Sequence, residues 1–279
     1  MSDFVDLHCH WIAGIDDGVK TPEEGVDLLR GLRAAGFGLV VATPHMRPGM
    51  FDNDRRALEV AFAAMCPHLV GRDDLPDVHL SSEHFLDDVV FGRLVKGNGL
   101  PYPDLGAIPS GRAASAPAGP VPTGLSTDQP PASAAARAPA PASPRRPRGV
   151  LVELSPQAFP AQLQRRLFDL GRAGLRPVLA HPERYQPVWK DDSCLDPLLD
   201  AGACLLLDVC ALVGKYGRAP RKAAEKLLDE EAYEAACSDA HRPSDVDAVV
   251  EAIDVLDKRV GRAEAERLLR DAPRAILGL

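Results

Sequence analysis

Short apolar runs alternate with amphipathic stretches along most of this chain, and each apolar run ends in a polar or ionisable residue. The runs are Val5–Leu7, Leu39–Ala42, Val78–Leu80, Val150–Val152, Pro177–Ala180, Leu205–Leu207 and Tyr233–Cys237. Continuously apolar runs of this length are typical of parallel strands that are buried on both faces, with helices between them. About seven such units predict an α/β barrel, distorted or incomplete.

Two of the intervening stretches carry clear helix boundaries. The segment Thr21-Pro22-Glu23-Glu24 places a capping Thr before a Pro at the first helical position, and Glu closes a capping box. This helix is predicted to run to about Ala35 and to end at Gly36. A second helix is predicted from about Pro160 to Ala173, followed by Gly174.

The composition changes once along the chain. From Ala113 to Arg148, 36 residues contain 11 Ala and 9 Pro, with Val121 and Leu125 as the large aliphatic residues. Such a segment cannot bury enough apolar surface to offset its ordering entropy. We therefore predict a single domain over 1–279 with a disordered Ala/Pro-rich insertion at about 107–148. Its basic end is interpreted as part of a solvated tether, with docking of an acidic partner as the alternative.

Charge and composition exclude several classes of function. The 279 residues are 46% hydrophobic, and 32 Lys and Arg against 40 Asp and Glu give a net charge of −8. This balance argues against nucleic-acid binding. No apolar run approaches the roughly 20 residues of a membrane helix, and the first residues lack the pattern of a signal peptide. Six irregularly spaced Cys indicate reduced thiols, so we expect a cytoplasmic protein without an integral membrane segment.

Candidate metal ligands stand at the ends of the predicted strands. They are His8, His10, His45, Glu83, Glu153, His181, Asp239 and His241. In parallel barrels, the carboxyl ends of the strands meet at one mouth, where functional groups gather. Five of the eight histidines lie at these ends. The other three, His68, His79 and His84, are interpreted as surface or packing residues.

Imidazoles and carboxylates without thiolates suit Zn²⁺, Mn²⁺ or Fe²⁺. The set exceeds what one ion takes, which favours a site with several ions, suited to hydrolysis at phosphorus. The acidic loop Gly14–Gly18 could add one more carboxylate, although a simple turn is an equal alternative. Arg47, Arg184 and Arg242 each follow a candidate His, which favours an anionic substrate. The alternative is a buried carboxylate–histidine network that only stabilises the fold, although its acids would repel one another.

One further motif suggests a different chemistry. The stretch Cys66–Arg72 has the Cys-x5-Arg spacing of thiolate phosphatases. Pro67 removes a backbone N–H that a phosphate-binding loop needs, and the stretch continues a helical pattern. We therefore set it aside as a chance match. Cys9, between two histidines on the opposite face of its strand, is interpreted as core packing.

Several of these motifs resemble the polymerase-and-histidinol-phosphatase (PHP) superfamily, and within it the bacterial capsule and exopolysaccharide tyrosine-protein phosphatases of the CpsB/YwqE type. The motifs are Asp6–His10, Gly14–Gly18, Thr21–Glu24, Ala42–His45, Leu151–Glu153, Ala180–Arg184, Gly214–Arg218 and Ser238–His241. The resemblance covers nearly the whole chain outside the insertion, which is not part of the usual pattern. Asp208 stands where such relatives tend to have a neutral polar residue, and its relation to the site stays open.

The resemblance implies a single PHP-type phosphatase domain with a distorted (β/α)7 TIM-like barrel and three divalent ions. Mn²⁺ is the expected metal, with Zn²⁺ or Fe²⁺ as alternatives. By motif, the ligands are His8, His10, Asp17, His45, Glu83, Glu153, His181, Asp239 and His241. Asp17 matches better than its neighbour Asp16. By the same resemblance, Arg184, Arg242 and Arg47 hold the phosphate.

The expected function is that of a metal-dependent protein-tyrosine phosphatase. Its substrate would be phosphotyrosine on a partner bacterial tyrosine kinase of capsule or exopolysaccharide synthesis. One alternative is a small-molecule phosphoesterase of the same superfamily, acting on a substrate such as histidinol phosphate. A second alternative is an inert binding module without metal. A homo-oligomer is compatible with the sequence.

Overall fold

The computed structural model describes residues 3–107 and 146–279. The strands within these ranges are β1 Phe4–Cys9, β2 Phe37–Ala42, β3 His45–Met46, β4 Asp77–Leu80, β5 Glu83–Phe85, β6 Arg148–Glu153, β7 Leu175–Ala180, β8 Cys204–Asp208 and β9 Tyr233–Cys237. The α-helices are α1 Pro22–Ala34, α2 Arg55–Met65, α3 Asp88–Val95, α4 Leu163–Arg172, α5 Gln186–Lys190, α6 Asp196–Asp200, α7 Arg218–Asp229, α8 Val246–Val260, α9 Arg262–Glu266 and α10 Ala272–Ile276.

The strands form a distorted barrel of seven staves, as predicted. All pairings between the strands are parallel, in the orders β1-β2-β4 and β3-β5-β6-β7-β8-β9. β2 continues into β3 and β4 continues into β5, so each pair counts as one stave. β1 and β9 close the barrel, since Asp239 N donates to His8 O at 2.9 Å and His10 N donates to Ala240 O at 2.9 Å. The predicted distorted α/β barrel is therefore confirmed.

Two staves are broken just below the mouth of the barrel. Pro44 has no N–H for the ladder, and its carbonyl accepts from Ser82 Oγ at 2.8 Å. The Glu83 N–H bonds back to Thr43 O at 3.3 Å, which holds the two breaks against each other. Past the breaks, His45 pairs in register with Glu83. The distortion therefore brings an imidazole and a carboxylate side by side.

Two apolar layers stabilise the barrel. Alternate strand residues point to opposite faces, so Leu206 lies inside the barrel while Leu205 and Leu207 pack under the surrounding helices. The interior layer also contains Leu7, Leu151 and other side chains from the lower parts of the strands. These positions are almost completely buried. Hydrophobic burial thus concentrates below the mouth.

The helix boundaries follow the local sequence closely. Thr21 caps α1, accepting from Glu24 N at 3.3 Å, and Gly36 takes a positive φ of 106° after the helix ends. α4 begins at Leu163, three residues later than predicted. The Leu163 N–H bonds to Pro160 O at 3.0 Å in a tight turn, so the first three predicted residues form a lead-in rather than α-helix.

The predicted Ala/Pro-rich insertion lies almost entirely outside the described residues. Its predicted first residue, Ala107, belongs to the 3₁₀ turn Leu105–Ala107, and its predicted last residue, Arg148, is already part of β6. The single-domain organisation over 1–279 stays a prediction. Within 3–107 and 146–279, no helix is both long enough and apolar enough to cross a membrane.

Candidate metal centre

The end of β1 places His8 and His10 on the same face, as their spacing predicts. Both side chains are buried, and their Nε2 atoms lie 3.1 Å apart. Cys9 points the other way and its thiol donates to Ala240 O at 3.4 Å. Cys9 therefore packs in the core, as predicted, and the two imidazoles face the mouth.

Glu83 lies at the centre of the cluster. Its Oε2 lies 3.2 Å from His8 Nε2 and 3.0 Å from His45 Nδ1. The same oxygen lies 3.5 Å from His10 Nε2, and Oε1 lies 3.0 Å from His181 Nε2. Burial alone would raise the pKa of Glu83, but the neighbouring imidazoles hold that pKa well below its usual range. One carboxylate therefore contacts four imidazoles from three other staves, since His8 and His10 both come from the β1 stave.

Asp239 and His181 enter the cluster through unusual backbone conformations. His181 has a φ of 36° and Asp239 a φ of 44°, a region that residues other than Gly seldom adopt. Asp239 Oδ1 lies 3.2 Å from His8 Nε2, and Arg184 donates to its Oδ2 at 2.6 Å. Strain of this kind gathers at functional sites, where the surrounding structure over-determines it.

The outer part of the cluster combines Asp17 with two imidazoles. Asp17 Oδ1 lies 3.3 Å from His45 Nε2 and 3.7 Å from His241 Nε2. The rings of His241 and His10 stack with their centroids 4.1 Å apart. The hydrogen bond from His45 lowers the pKa of Asp17, which stays half-exposed at the rim. An ionised carboxylate at this position can bind a cation.

Glu153 adds a third acid beside β5. Its Oε2 lies 4.0 Å from His45 Nδ1 and 3.6 Å from Arg47 Nη1. Burial, together with the negative charge of Glu83, raises the pKa of Glu153 to about 7. Burial and the proximity of a second carboxylate therefore both favour the neutral form of this acid.

All nine predicted ligands lie in this cluster, in four overlapping groups whose ligand atoms are within 4.8 Å of one another. The groups are His10, Asp17, His45 and His241; His8, His181 and Asp239; His8, His10 and Glu83; and His45, Glu83 and Glu153. Shared members mean that ions bound in different groups would be neighbours. The role of these nine side chains as ligands stays a prediction.

Three atoms in the cluster indicate that it suits cations. Asp239 Oδ1, Glu153 Oε2 and His45 Nδ1 are buried, and their close neighbours are not oriented to form hydrogen bonds with them, a costly arrangement. Burial alone would lower the pKa of His45, but the adjacent carboxylates Glu83 and Asp17 raise it to about 11. Donor atoms about 2.1 Å from a common ion lie roughly 3–3.5 Å apart, as many pairs here do. The donor set fits divalent metals.

Asp16 and Asp17 have different places in the acidic loop. Asp16 is buried, accepts from His10 Nδ1 at 2.8 Å, and accepts from His45 N at 3.1 Å. A carboxylate on the second nitrogen of a ligating His fixes its tautomer and orientation. The loop can approach β1 because residue 18 is Gly: a Cβ there would lie 2.2 Å from His10 O. The sequence analysis missed this supporting role of Asp16.

Asp6 supports the cluster from within β1. Its carboxylate accepts from Ser238 N at 3.0 Å, from Ser238 Oγ, and from His8 N at 3.2 Å. It thereby ties the ends of β1 and β9 together directly beneath His8 and Asp239. Burial raises the pKa of Asp6 to about 6. An acid within an otherwise apolar strand was the available sequence signal.

A second buried network surrounds Arg184. Its guanidinium lies 4.6 Å above the ring of Tyr216. Asp208 is buried close by, accepts from Cys210 N at 2.9 Å, and its own N–H donates to Glu183 Oε1 at 3.1 Å. Burial raises the pKa of Asp208 to about 6 and that of Glu183 to about 8. Asp208 therefore lies next to a candidate phosphate-binding residue and outside the four groups of candidate ligands in the described residues.

The three predicted phosphate-binding arginines differ in their positions. Arg184 bonds to Asp239, and Arg47 lies beside Glu153, so both border the cluster. Arg242 follows His241 at an exposed position, and its backbone N–H donates to Asp245 at 3.1 Å. The phosphate-binding role of all three stays a prediction.

The histidines and the cysteine that the sequence analysis did not assign to the site lie away from the centre of the cluster. His68 is exposed and His79 half-buried, while His84 is buried between Leu151 O and Leu100 N. Cys66 ends α2, and burial raises the pKa of its thiol. A nucleophilic Cys needs a lowered pKa, so Cys66 is unsuited to thiolate chemistry.

A family model described as capsular polysaccharide synthesis, CpsB/CapC, matches residues 4–99 and 145–278. The tyrosine-protein phosphatase YwqE of Bacillus subtilis is 24% identical over 281 residues, covering 96% of this chain and 92% of that protein. The tyrosine-protein phosphatase CpsB of Streptococcus pneumoniae is 23% identical, covering 98% of each chain.

Two solved structures support the fold. Crystal structures of YwqE and CpsB, described as metal-dependent tyrosine phosphatases, include a chain that matches with a TM-score of 0.75 at 22% identity, covering 98% of this chain and 94% of that one. A phosphotriesterase homology protein from Escherichia coli matches with a TM-score of 0.53 at 12% identity, covering 99% of each chain. At these identities, the likeness shows the fold.

Proposed function

This chain belongs to the CpsB/CapC family of capsular polysaccharide synthesis, and we propose that it is a metal-dependent protein-tyrosine phosphatase. Its substrate is phosphotyrosine on a partner tyrosine kinase of capsule or exopolysaccharide synthesis. The observation that carries the proposal is the contact of one carboxylate, Glu83, with four imidazoles from three other staves. Relatives named tyrosine-protein phosphatases support the substrate.

The nine side chains of the cluster hold the metal, for which we propose three Mn²⁺ ions, with Zn²⁺ or Fe²⁺ as alternatives. Nitrogen and carboxylate donors without thiolates support this choice. When bound, such ions act as Lewis acids and lower the pKa of water to near neutrality.

Other residues of this chain bind and orient the phosphate group. Arg184 is fixed by Asp239 on one side and by the face of Tyr216 on the other, so its guanidinium is pre-oriented for phosphate oxygens. Arg47 borders the cluster from the side of Glu153. Two guanidinium groups that flank the acids can stabilise the charge that develops on the phosphoryl oxygens as tyrosine departs. Asp16 keeps His10 in one tautomer throughout.

The proposal also places the protein in the cytoplasm, where kinases that use ATP phosphorylate their substrates. Its partner is the kinase itself, recognised through the phosphotyrosine that it carries. Because the net charge is −8, long-range electrostatics do not attract a phosphorylated segment to this protein. Recognition therefore depends on the local positive charge of the metal ions and of the arginines at the mouth.

The test measures phosphate release by the full chain from a phosphotyrosine peptide, a phosphoserine peptide and histidinol phosphate. We expect the phosphotyrosine peptide to have the highest kcat/KM, with activity lost on chelation and restored by Mn²⁺. His8→Ala should abolish activity, whereas Cys66→Ser should retain it. A higher kcat/KM for histidinol phosphate would instead support the small-molecule phosphoesterase. Loss of activity in Cys66→Ser alone would contradict metal-dependent hydrolysis.

Metal analysis of the same preparation separates an enzyme from an inert binding module. We expect about three ions per chain, in line with the overlap of the four groups. Fewer than two ions per chain after purification with Mn²⁺ would favour the inert module.

A further inference from the structure

Three of the eight Phe side chains lie outside the hydrophobic core. Phe51, Phe85 and Phe168 belong neither to the two apolar clusters nor to the part-buried side chains packed on them. Phe168 is an exposed residue of helix α4. The other two both lie beside the candidate metal centre. Their position at the mouth is therefore not explained by packing of the core.

The ring of Phe51 lies directly against a candidate ligand. It stacks on the imidazole of His45 with a centroid separation of 5.2 Å and an interplanar angle of 8°. The ring is only partly buried. One face therefore covers the imidazole, and the remainder stays open at the mouth.

Phe85 lies on β5, the strand that pairs with β3. It lies two residues beyond Glu83 on β5, so it shares the inward face of that strand. It pairs in register with Glu153, and the Arg47 guanidinium lies 4.1 Å above its ring. Phe85 is also only partly buried. An aromatic surface thus adjoins a candidate phosphate-binding residue.

The loop that carries Phe51 is held in place at both ends. Arg47 N donates to Phe51 O at 3.1 Å, and Phe51 N donates to Arg47 O at 2.8 Å. Asn53 Nδ2 donates to His45 O at 2.9 Å. Gly49 has a φ of 82°, which permits the tight turn. The ring is therefore pre-positioned rather than free to follow any ligand.

We propose that Phe51 and Phe85 form a subsite for the aromatic ring of the leaving group. The proposal rests on the proposed function, because phosphotyrosine combines a phosphate dianion with an aryl ring. With the phosphate at the metal ions and Arg184, the ring lies along the two Phe side chains, whose stacking and edge contacts favour aromatic groups. A phosphoserine side chain has no ring to reach this surface, so the subsite selects for phosphotyrosine.

The test compares ligands with and without the ring on the metal-loaded full chain. Calorimetry would measure the Kd of inorganic phosphate and of a peptide carrying a non-hydrolysable aryl phosphonate in place of phosphotyrosine. The variants are Phe51→Leu and Phe85→Leu, which keep apolar volume, with Phe168→Leu as the matched control. We expect each mouth variant to raise the Kd of the aryl phosphonate about threefold to tenfold.

The Kd of inorganic phosphate should stay within about twofold in these variants, and Phe168→Leu should leave both values unchanged. Equal weakening of both probes, or no weakening of the aryl phosphonate, would overturn the subsite. Because Phe51 touches His45, the metal content of each variant is measured first, and Phe85→Leu decides the test if Phe51→Leu has lost metal.

The same experiment distinguishes failure of the subsite from failure of the proposed function. If the wild-type enzyme hydrolyses the phosphotyrosine peptide but the Leu variants bind the aryl phosphonate normally, the subsite is wrong and the phosphatase stands. If the wild-type enzyme shows no hydrolysis of phosphotyrosine with any of the three metals, the proposed function is wrong whatever the binding data show.

Discussion

The upper and lower halves of the barrel interior both bury most of their side chains but are chemically opposite. In the lower half, apolar side chains such as Leu7, Leu151 and Leu206 fill the interior. One or two residues further along the same strands, the upper half is lined by histidines and carboxylates such as His8 and Glu153. Both halves therefore share one backbone scaffold.

The difference shows that burial alone does not decide what a layer contributes. Burial of the lower half stabilises the fold, by about 25 cal/mol for each Å² of apolar surface. The upper half buries charged groups at close range, and some of its polar atoms have no hydrogen-bond partner. Desolvation of such groups is costly unless they are paired. The apolar lower half thus offsets the cost of burying the charged groups of the upper half.

The largest expected effect comes from Glu83→Gln in the upper half. Loss of groups that only orient a ligand typically lowers metal affinity or activity by 10–100-fold. Glu83 contacts four imidazoles directly, so we expect kcat/KM on the phosphotyrosine peptide to fall by more than about 100-fold. The metal content should fall in parallel.

The matched control is Glu59→Gln, which removes an exposed carboxylate that pairs with Arg55 on α2. Activity and metal content should be unchanged in this variant. If Glu83→Gln kept full activity, the upper half would not be the catalytic region.

The second prediction concerns a substitution in the lower half, which should lower stability and leave activity unchanged. Leu206→Ala in the lower half should lower the free energy of unfolding by about 3 kcal/mol, because it leaves a cavity in a closely packed interior. The kcat/KM of the folded fraction should stay within about twofold. Urea denaturation and steady-state kinetics measure the two quantities. Leu199→Ala, at a more exposed position on α6, is the control. A large loss of kcat/KM in Leu206→Ala would mean that stability and activity do not belong to different halves of the barrel.

The third prediction concerns pH and the imidazole of His84, which lies beside the upper half without belonging to it. Its Nδ1 donates to Leu151 O at 2.9 Å and its Nε2 accepts from Leu100 N at 3.0 Å, so the ring is neutral. Burial lowers its pKa to about 4. Between pH 6.5 and 4, the unfolded chain therefore binds a proton that the folded chain does not.

As the pH drops through this window, His84 should lower the free energy of unfolding by up to about 3 kcal/mol. Above about pH 7, His84 should make no pH-dependent contribution to that free energy. The same measurement is made on His84→Gln. The candidate ligands titrate in both proteins, so the difference between their free energies of unfolding at each pH isolates the contribution of His84. Parallel curves for the two proteins from pH 7.5 to 4.5 would contradict the prediction.

The smallest effect is expected from Tyr216, which supports the upper half from outside. Tyr216→Leu removes the ring beneath Arg184. A cation–π contact of this kind is worth about 1 kcal/mol, so the KM for the phosphotyrosine peptide should rise about fivefold with little change in kcat. Tyr216→Phe keeps the ring and should restore the KM. Equal losses in both variants would indicate that the hydroxyl group matters instead.

The sequence predicts the parts of this structure that depend on neighbours along the chain. Thr21 and Gly36 mark the ends of α1, and the strand-end positions of His8 and Asp239 follow from local hydrophobic patterns. Pairings between distant residues could not be read in this way. The contacts of Asp6 with Ser238 and of Asp16 with His45 join segments far apart in sequence.

The broken staves were also beyond the sequence analysis. In the sequence, Pro44 and Ser82 look like ordinary loop residues after two strands. In the structure they form a hydrogen bond, and beyond them both segments continue the barrel as the short strands β3 and β5. Likewise, Phe51 and Phe85 read as unremarkable apolar residues. Their exposure depends on which side of the barrel each faces, and local patterns do not specify that.

The floor of the barrel, at the end opposite the mouth, is where the last helix packs. Leu105 N donates to Leu277 O at 2.8 Å, and Arg148 Nη2 donates to Tyr102 O at 2.9 Å, so the residues just after this helix lie with the start of β6 at this floor. An attachment tag or a reporter domain fused after the last helix would point away from the ligand-bearing loops. The enzyme could then be immobilised through its base with its entrance facing the surrounding liquid.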